Sequence, residues 1–525
     1  MLADQGFSKK EKYYLFALLV FLLFAFFFRL GDYPLILEET RRAIIALEMT
    51  LNENLWVPLQ TGDLYLRKPP VYNWFIILFA NIFGSFSEFS IRFFSVVSHI
   101  LLAGVTYLFV KKYFDQVVAV LTALSYLIAV DILFYFSLLG EIDLFYALIT
   151  AMSMFYVYHA GARQRYLALF LVIYGLTAIG FLTKGLSSLP FLVITLLVYF
   201  IQQRKFKLLF SWQHVLGILF FSLILGAFFL KYNQYADAWG WWRVLFEESS
   251  IKVIESSFDT WLVHLFIFPF DTLKNILPVA LLLPLFYFQK VRETVLAHSL
   301  IRYSLAVFFF NICVYWLSTQ GSSRYIYSLF PFIILVIVYA YHQQLIYWME
   351  RYLRIVAIGL LTLASVILPI LLLTPRLEIV NGLLWICLLS LLLVVILWWL
   401  LLRNYVRPYL VIMGLLVVLK LGFNSIMADM RTETSYAALD RALGIDYAEQ
   451  FYQLPMYRYG DVRISLGIVF YLERGRQRIL RKNDRFMSNA IYFVHEKDRQ
   501  VIPEKSELID VVEYNSEKVY LVKIK

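Results

Sequence analysis

Two acids and two bases stand almost side by side in Leu37-Glu38-Glu39-Thr40-Arg41-Arg42. A carboxylate can take a proton from a hydroxyl nucleophile. A nearby cation can stabilise negative charge as it develops on a leaving group. The segment reads as a helix running to about Leu51, with Arg41 and Arg42 at i+3 and i+4 from Glu38 and within its reach. Ile44, Leu47 and Leu51 form one apolar stripe, so the helix is expected to lie on a membrane surface. A solvated, salt-bridged helix accounts for the same spacing. Further on, Tyr65-Leu66-Arg67-Lys68-Pro69-Pro70 sets an Arg-Lys pair before two stiffening prolines. A fixed lysine there is a point charge suited to a phosphate; a snorkelling pair at headgroup level is the alternative. Glu141 and Asp143 share a turn without neighbouring cations, and Lys184 is the only charge between two apolar runs. Acids and cations at membrane depth are costly and tend to mark function.

The elements that must position these residues are set by composition. Of 525 residues, 61% are hydrophobic and 16% charged, against roughly half and a quarter in soluble domains. Apolar runs recur from Tyr14 to Phe423, many near the roughly 20 residues that cross a bilayer as a helix. Backbone groups in lipid must be satisfied internally, so these runs are helices. About thirteen spans are expected, near 13–30, 88–110, 117–139, 142–160, 165–183, 186–202, 213–231, 264–288, 301–318, 325–345, 353–373, 381–402 and 408–425. The run Val71–Phe83 is short for a crossing and reads as an interfacial or re-entrant piece.

Cations fall on one side of this pattern: Lys9, Lys10 and Lys12, then Lys111 and Lys112, Arg163 and Arg165, and so on to Arg403 and Arg407. Positive charge marks cytoplasmic loops, so the N-terminus is expected inside and three larger segments outside: 31–86, 232–263 and everything after about 426. The net charge of +10 is thereby spent on topology, and no nucleic-acid partner is expected. Cys313 and Cys387 both lie in apolar runs and lack metal-site spacing. In the last segment, a short helix Ser435–Leu443 ending at Gly444 and strands at Ile464–Leu472, Ile491–His495, Leu508–Tyr514 and Lys518–Ile524 predict a small α/β domain, 426–525, beside a membrane domain, 1–425. Trp239, Trp241 and Trp242 read as headgroup anchors.

Taken together these motifs resemble the lipid-linked-sugar glycosyltransferases of the C-type membrane fold, among them the aminoarabinose transferases and relatives of the protein O-mannosyltransferases. That family opens its first outer loop with Asp-Glu-x-Arg, then Glu-Met, Trp-Val-x-Pro and Glu-Lys-Pro-Pro. This chain has Glu38-Glu39-Thr40-Arg41, Glu48-Met49, Trp56-Val57-Pro58 and Arg67-Lys68-Pro69-Pro70, and then Phe181-Leu182-Thr183-Lys184-Gly185 unchanged. Arg324-Tyr325 before Leu329-Phe330-Pro331 is similar to a further family motif. The resemblance implies an all-α polytopic GT-C protein of the bacterial inner membrane, with its small C-terminal domain periplasmic. It implies inverting transfer from a polyprenyl-phosphate sugar to a lipid, glycan or protein acceptor. Glu38 would be the general base, and Asp143 would shape the sugar or base site. Arg41, Lys68 and Lys184 would hold the leaving phosphate. Glu39, Tyr65, Glu141, Arg324 and Tyr325 are further substrate-site candidates. Glu38 stands where the family has Asp, and Arg67 where it has the acid of a metal contact; no metal or other cofactor is therefore expected. A transporter, or a polymerase or ligase of lipid-linked glycans, remains the alternative.

Overall fold

Local sequence sets where the helices begin. Ser8 caps the first one: its hydroxyl accepts from Glu11 N–H, and Glu11 accepts from Ser8 N–H in return. The computed structural model describes residues 6–254, 258–319, 321–343, 347–514 and 516–525, with the backbone alone for 248–254. Helix α1 (Lys9–Phe27) crosses first. The first outer segment holds α2 (Leu37–Leu51), a hairpin of β1 (Leu59–Gln60) and β2 (Asp63–Leu64), and α3 (Val71–Phe83). Then come α4 (Glu88–Val110), α5 (Gln116–Leu127), α6 (Val130–Phe134), α7 (Ile142–Ala162), α8 (Tyr166–Lys184), α9 (Ser188–Gln202), α10 (Trp212–Tyr232) and α11 (Ala238–Ile254). The second half of the bundle is α12 (Phe258–Asn275), α13 (Gln289–Ala297), α14 (Ser299–Trp316), α15 (Phe330–Gln343), α16 (Tyr347–Leu371), α17 (Leu383–Leu402) and α18 (Pro408–Thr434).

Among the described residues nine helical segments are long and apolar enough to span a membrane, and two more pairs of helices qualify as bent spans. One of the nine, Tyr166–Gln202, has 37 residues. At roughly 1.5 Å per residue it would be about twice the thickness of a hydrocarbon core. It breaks at Gly185, whose φ of 76° is left-handed, so α8 and α9 cross separately. With α1 added, the thirteen expected spans are accounted for. The last residues of the span expected at 325–345 lie outside the described residues.

Two spans differ in shape from expectation. The run 117–139 bends by 46° between α5 and α6, and the run 264–288 bends by 114° after α12. The innermost segments are α7, 78% buried, and Ser323–Gln343, 89% buried. These two carry Asp143 and the Arg324-Tyr325 pair, so the centre of the bundle holds that part of the candidate set.

The outer elements also depart from the sequence reading. Helix α2 does not lie on a surface. Residues 39, 40 and 42–49 are all buried, because α3 packs on one side and the C-terminal domain on the other. Trp241 is not a headgroup anchor: it is 1% exposed, packed on Phe229 and Phe181. Helix α18 continues past residue 425 to Thr434. Helix α19 (Tyr436–Gln450) does not stop at Gly444; a Cβ there would come within 2.6 Å of Ile468 O, so the glycine serves close helix packing. The expected strand Ile464–Leu472 is instead helix α20 (Leu466–Arg476), capped by Ser465. The sheet order is β4-β3-β5-β7-β6, with β3 (Met456–Arg458) parallel to β4 (Arg481–Lys482) and β5 (Ala490–His495). The strands β6 (Ser506–Tyr514) and β7 (Glu517–Ile524) complete it antiparallel.

Candidate active site

Arg92 organises the site without touching its chemistry. It is the one Lys or Arg within α4, and it is fully buried. Its guanidinium donates to Glu39 through Nε at 2.9 Å and Nη2 at 2.7 Å, and to the carbonyls of Leu30, Tyr33 and Pro34. Glu39 in turn accepts from Ile36 N–H at 2.9 Å and from Gly140 N–H at 2.8 Å. The carboxylate of Glu39 is thus committed to holding two chain segments together, and its part in the site is to position. The Glu39–Gly140 contact joins the start of α2 to the turn before α7. Glu38 and Glu141 each follow or precede that contact by one residue. Leu37 is held at φ 55°, a left-handed conformation costing about 1–2 kcal/mol in a non-glycine residue, immediately before Glu38.

Glu38 is 39% exposed. Arg41 Nη1 donates to both of its oxygens, at 2.5 and 2.6 Å, and Arg42 lies 3.7 Å away. Arg42 is buried and donates to Tyr65 Oη at 2.9 Å. Its burial disfavours the cation, yet Tyr65, Glu38 and Glu141 together raise its pKa. That electrostatic reach to Glu141 connects the first outer loop to the bundle centre. Lys68 is half-buried, three residues beyond Tyr65; the start of α3 is fastened beneath Arg42 by Asn73, which donates to Arg42 O at 3.0 Å.

At the bundle centre, Lys184 donates to Asp143 at 2.6 Å, with both side chains almost fully buried. The Lys184 ammonium also lies 4.2 Å from the Tyr325 ring centroid and 4.9 Å from that of Tyr146. Arg324 donates to Glu141 at 2.9 Å. Burial, and then the charge of Asp143, push Glu141 well above the ordinary carboxylate range, against the pull of Arg324. Acidic and basic side chains are therefore interspersed from Lys184 through Asp143, Glu141 and Arg324 toward Arg42, Glu38 and Arg41. Such a layer can hold an anion at its cationic members and accept a proton at its exposed carboxylate. Among the described residues no three His, Cys, Asp or Glu side chains are grouped as metal ligands.

Glu38, Glu39, Arg41, Tyr65, Glu141, Asp143, Lys184, Arg324 and Tyr325, all named from the sequence, are joined to this layer by hydrogen bonds, ion pairs or ring contacts, and Lys68 lies on the loop between Tyr65 and α3. Arg92, Gly140 and Asn73 were missed. A single arginine within an apolar run was the available signal for Arg92; nothing in the sequence pointed to the other two.

A family model described as "Dolichyl-phosphate-mannose-protein mannosyltransferase" matches residues 67–228. Two curated undecaprenyl phosphate-alpha-4-amino-4-deoxy-L-arabinose arabinosyl transferases are similar to part of the chain. The one from Yersinia pestis (strain Pestoides F) is 33% identical over 175 residues, 32% of this chain and 31% of that protein. The one from Wigglesworthia glossinidia brevipalpis is 29% identical over 163 residues, 30% of this chain and 29% of that protein. The chain thus matches less than a third of these relatives' length. The crystal structure of ArnT from Cupriavidus metallidurans bound to undecaprenyl phosphate superimposes with a TM-score of 0.70 at 18% identity, covering 97% of this chain and 98% of that one. The two share one fold, the GT-C membrane fold.

Proposed function

We propose that this GT-C membrane protein is an inverting glycosyltransferase that moves a sugar, pentose or hexose, from a polyprenyl-phosphate carrier to an envelope acceptor: lipid, glycan or protein. The reaction takes place on the outer side of the inner membrane, with the N-terminus cytoplasmic and the C-terminal domain periplasmic. The observation that carries this reading is the half-exposed carboxylate of Glu38, clamped through Glu39 and Gly140 beside a buried layer of cations.

The acceptor O–H gives its proton to Glu38 while its oxygen attacks the anomeric carbon. The bond from that carbon to the phosphate oxygen breaks on the opposite face, and the electron pair leaves with the phosphate. Arg41, Lys68, Lys184 and Arg324 meet the added negative charge, so the cations do most where the charge grows. Both oxygens of Glu38 accept from Arg41, which occupies the lone pairs that would take the proton. A donor phosphate competes for Arg41 and so frees Glu38 as the base when the phosphate is in place. Asp143 holds the Lys184 ammonium in place through their 2.6 Å contact. No metal is required by this scheme.

The test is Glu38→Gln, followed by transfer of label from a polyprenyl-phosphate sugar in membranes. General-base removal is expected to lower the rate on the order of 10²–10⁴-fold with the protein still inserted. Unchanged transfer would remove Glu38 from this role. Mass spectrometry of envelope lipids and glycans with and without the gene would name sugar and acceptor from the missing increment.

A further inference from the structure

We infer that the cavity between the first outer loop and the C-terminal domain is the acceptor site, and that it selects an acidic saccharide, one bearing a carboxylate or phosphate apart from the hydroxyl that receives the sugar. This rests on the reading of Glu38 as the base, because Arg41, its partner, lines one end of the cavity.

The cavity holds about 580 Å³, within the range of sites for small organic ligands. Its walls come from elements far apart in the chain: Arg41 on α2, the β1–β2 hairpin, Arg67, Val244 on α11, and Arg458 to Leu466 of the C-terminal domain. Four guanidinium groups line it, those of Arg41, Arg67, Arg458 and Arg463, against two carboxylates. One of these, Asp461, pairs with Lys482 at 2.9 Å. The balance facing a ligand is therefore positive.

Arg458 makes the chemistry specific. It is 6% exposed. One terminal nitrogen donates to Thr61 O and to Asp63, each at 2.7 Å, while its buried Nε has no partner among the described residues. A guanidinium offers five donors in a fork that matches a carboxylate or phosphate at two points. Asp63 is 62% exposed, so water can replace it, and an incoming acid on the ligand can take its place. A neutral sugar would leave the buried cation with its original, partial satisfaction and would gain little. The acid thus docks on the C-terminal domain, and the remainder of the saccharide extends along the cavity toward Arg41 and Glu38.

The full chain in lipid nanodiscs is titrated with glucuronic acid, glucose 6-phosphate and glucose, following saturation transfer by NMR and heat by calorimetry. At least one acidic sugar is expected to bind tenfold or more tighter than glucose; which of the two does so tells carboxylate from phosphate. Arg463→Gln, a change at an exposed residue, and Arg458→Lys, which keeps the charge but not the fork, should each weaken acid binding fivefold or more and leave glucose unaffected. Glucose binding as well as both acids, or acid affinity unchanged in both variants, overturns the assignment. Binding is read without turnover, so it is also measured in Glu38→Gln. Acid binding retained there alongside surviving transfer would reject the base and keep the cavity; acid binding absent with transfer abolished would do the reverse.

Discussion

Asp143 and Lys184 are an ion pair at 2.6 Å with 4% and 8% of their side chains exposed, whereas Glu38 and Arg41 form one with 39% and 27% exposed. The difference decides what mutation does. A half-exposed pair is worth about 0.2–1 kcal/mol, so Glu38→Gln should melt close to the native protein while losing transfer. Removing one member of a buried pair leaves an uncompensated group and costs about 3–5 kcal/mol. Asp143→Asn and Lys184→Met should each lower the melting temperature in detergent, and the double variant should recover part of that loss with transfer still absent. Additive losses in the double variant would show that the two side chains do not act as a pair. The acids and cations themselves were legible from their motifs. Which of them would be buried was not, since Glu38 and Glu39 are neighbours in sequence yet one is half-exposed and the other fully buried.

The turn before α7 is pressed against α4. A Cβ on Gly140 would lie 2.8 Å from Ile91 Cγ2 and 2.9 Å from Ile91 O, and the amide of the same residue is bonded to Glu39. Gly140→Ala must therefore push the turn outward, carrying Glu141 and Asp143 with it. A displacement of about 1 Å in a catalytic constellation can cost on the order of 10²-fold in rate. Transfer activity of Gly140→Ala is expected to fall by that order, with membrane insertion unchanged in fractionation; native turnover would mean that the turn tolerates the shift. Spans were readable because hydropathy and charge asymmetry act over some twenty residues. The bends after α5 and α12 were not, because a break of two or three residues leaves that average untouched. The periodicity of 464–472 misled for a related reason: a short, buried amphipathic helix and a strand both show a continuous apolar run.

The C-terminal domain is fastened to the membrane domain by charges that only the fold brings together. Tyr471 accepts from Leu35 N–H and donates to Glu88, which Arg474 also meets at 3.3 Å. Deeper in, Glu48 of α2 and Glu473 of α20 face each other, both fully buried. Burial raises Glu48 to about 7, against the amides of Gly62 and Thr61. Burial and then Glu48 raise Glu473 well above its ordinary value, with Arg458 pulling both down. Carboxyls whose pKa is raised in the fold hold protons the unfolded chain has released. Their share of stability is complete below the ordinary value near 4.5 and is lost as pH rises through about 7. The melting temperature should fall as pH rises from about 4.5 through about 7, and Glu473→Gln should flatten that fall. A profile equally steep in the variant would place the titrating group elsewhere.

Composition and hydropathy determined that the chain is a helical bundle of about thirteen spans, because the cost of exposing polar groups to lipid leaves helices as the solution. Spaced motifs singled out the residues to which the proposed chemistry is assigned. What joins them was decided in three dimensions. The Arg92–Glu39–Gly140 clamp links residues 92, 39 and 140, and the Arg458–Asp63 pair links residues almost four hundred positions apart. No local pattern encodes a partner at such separation, because hydrogen bonds and ion pairs act over a few ångströms and depend on where packing brings the side chains.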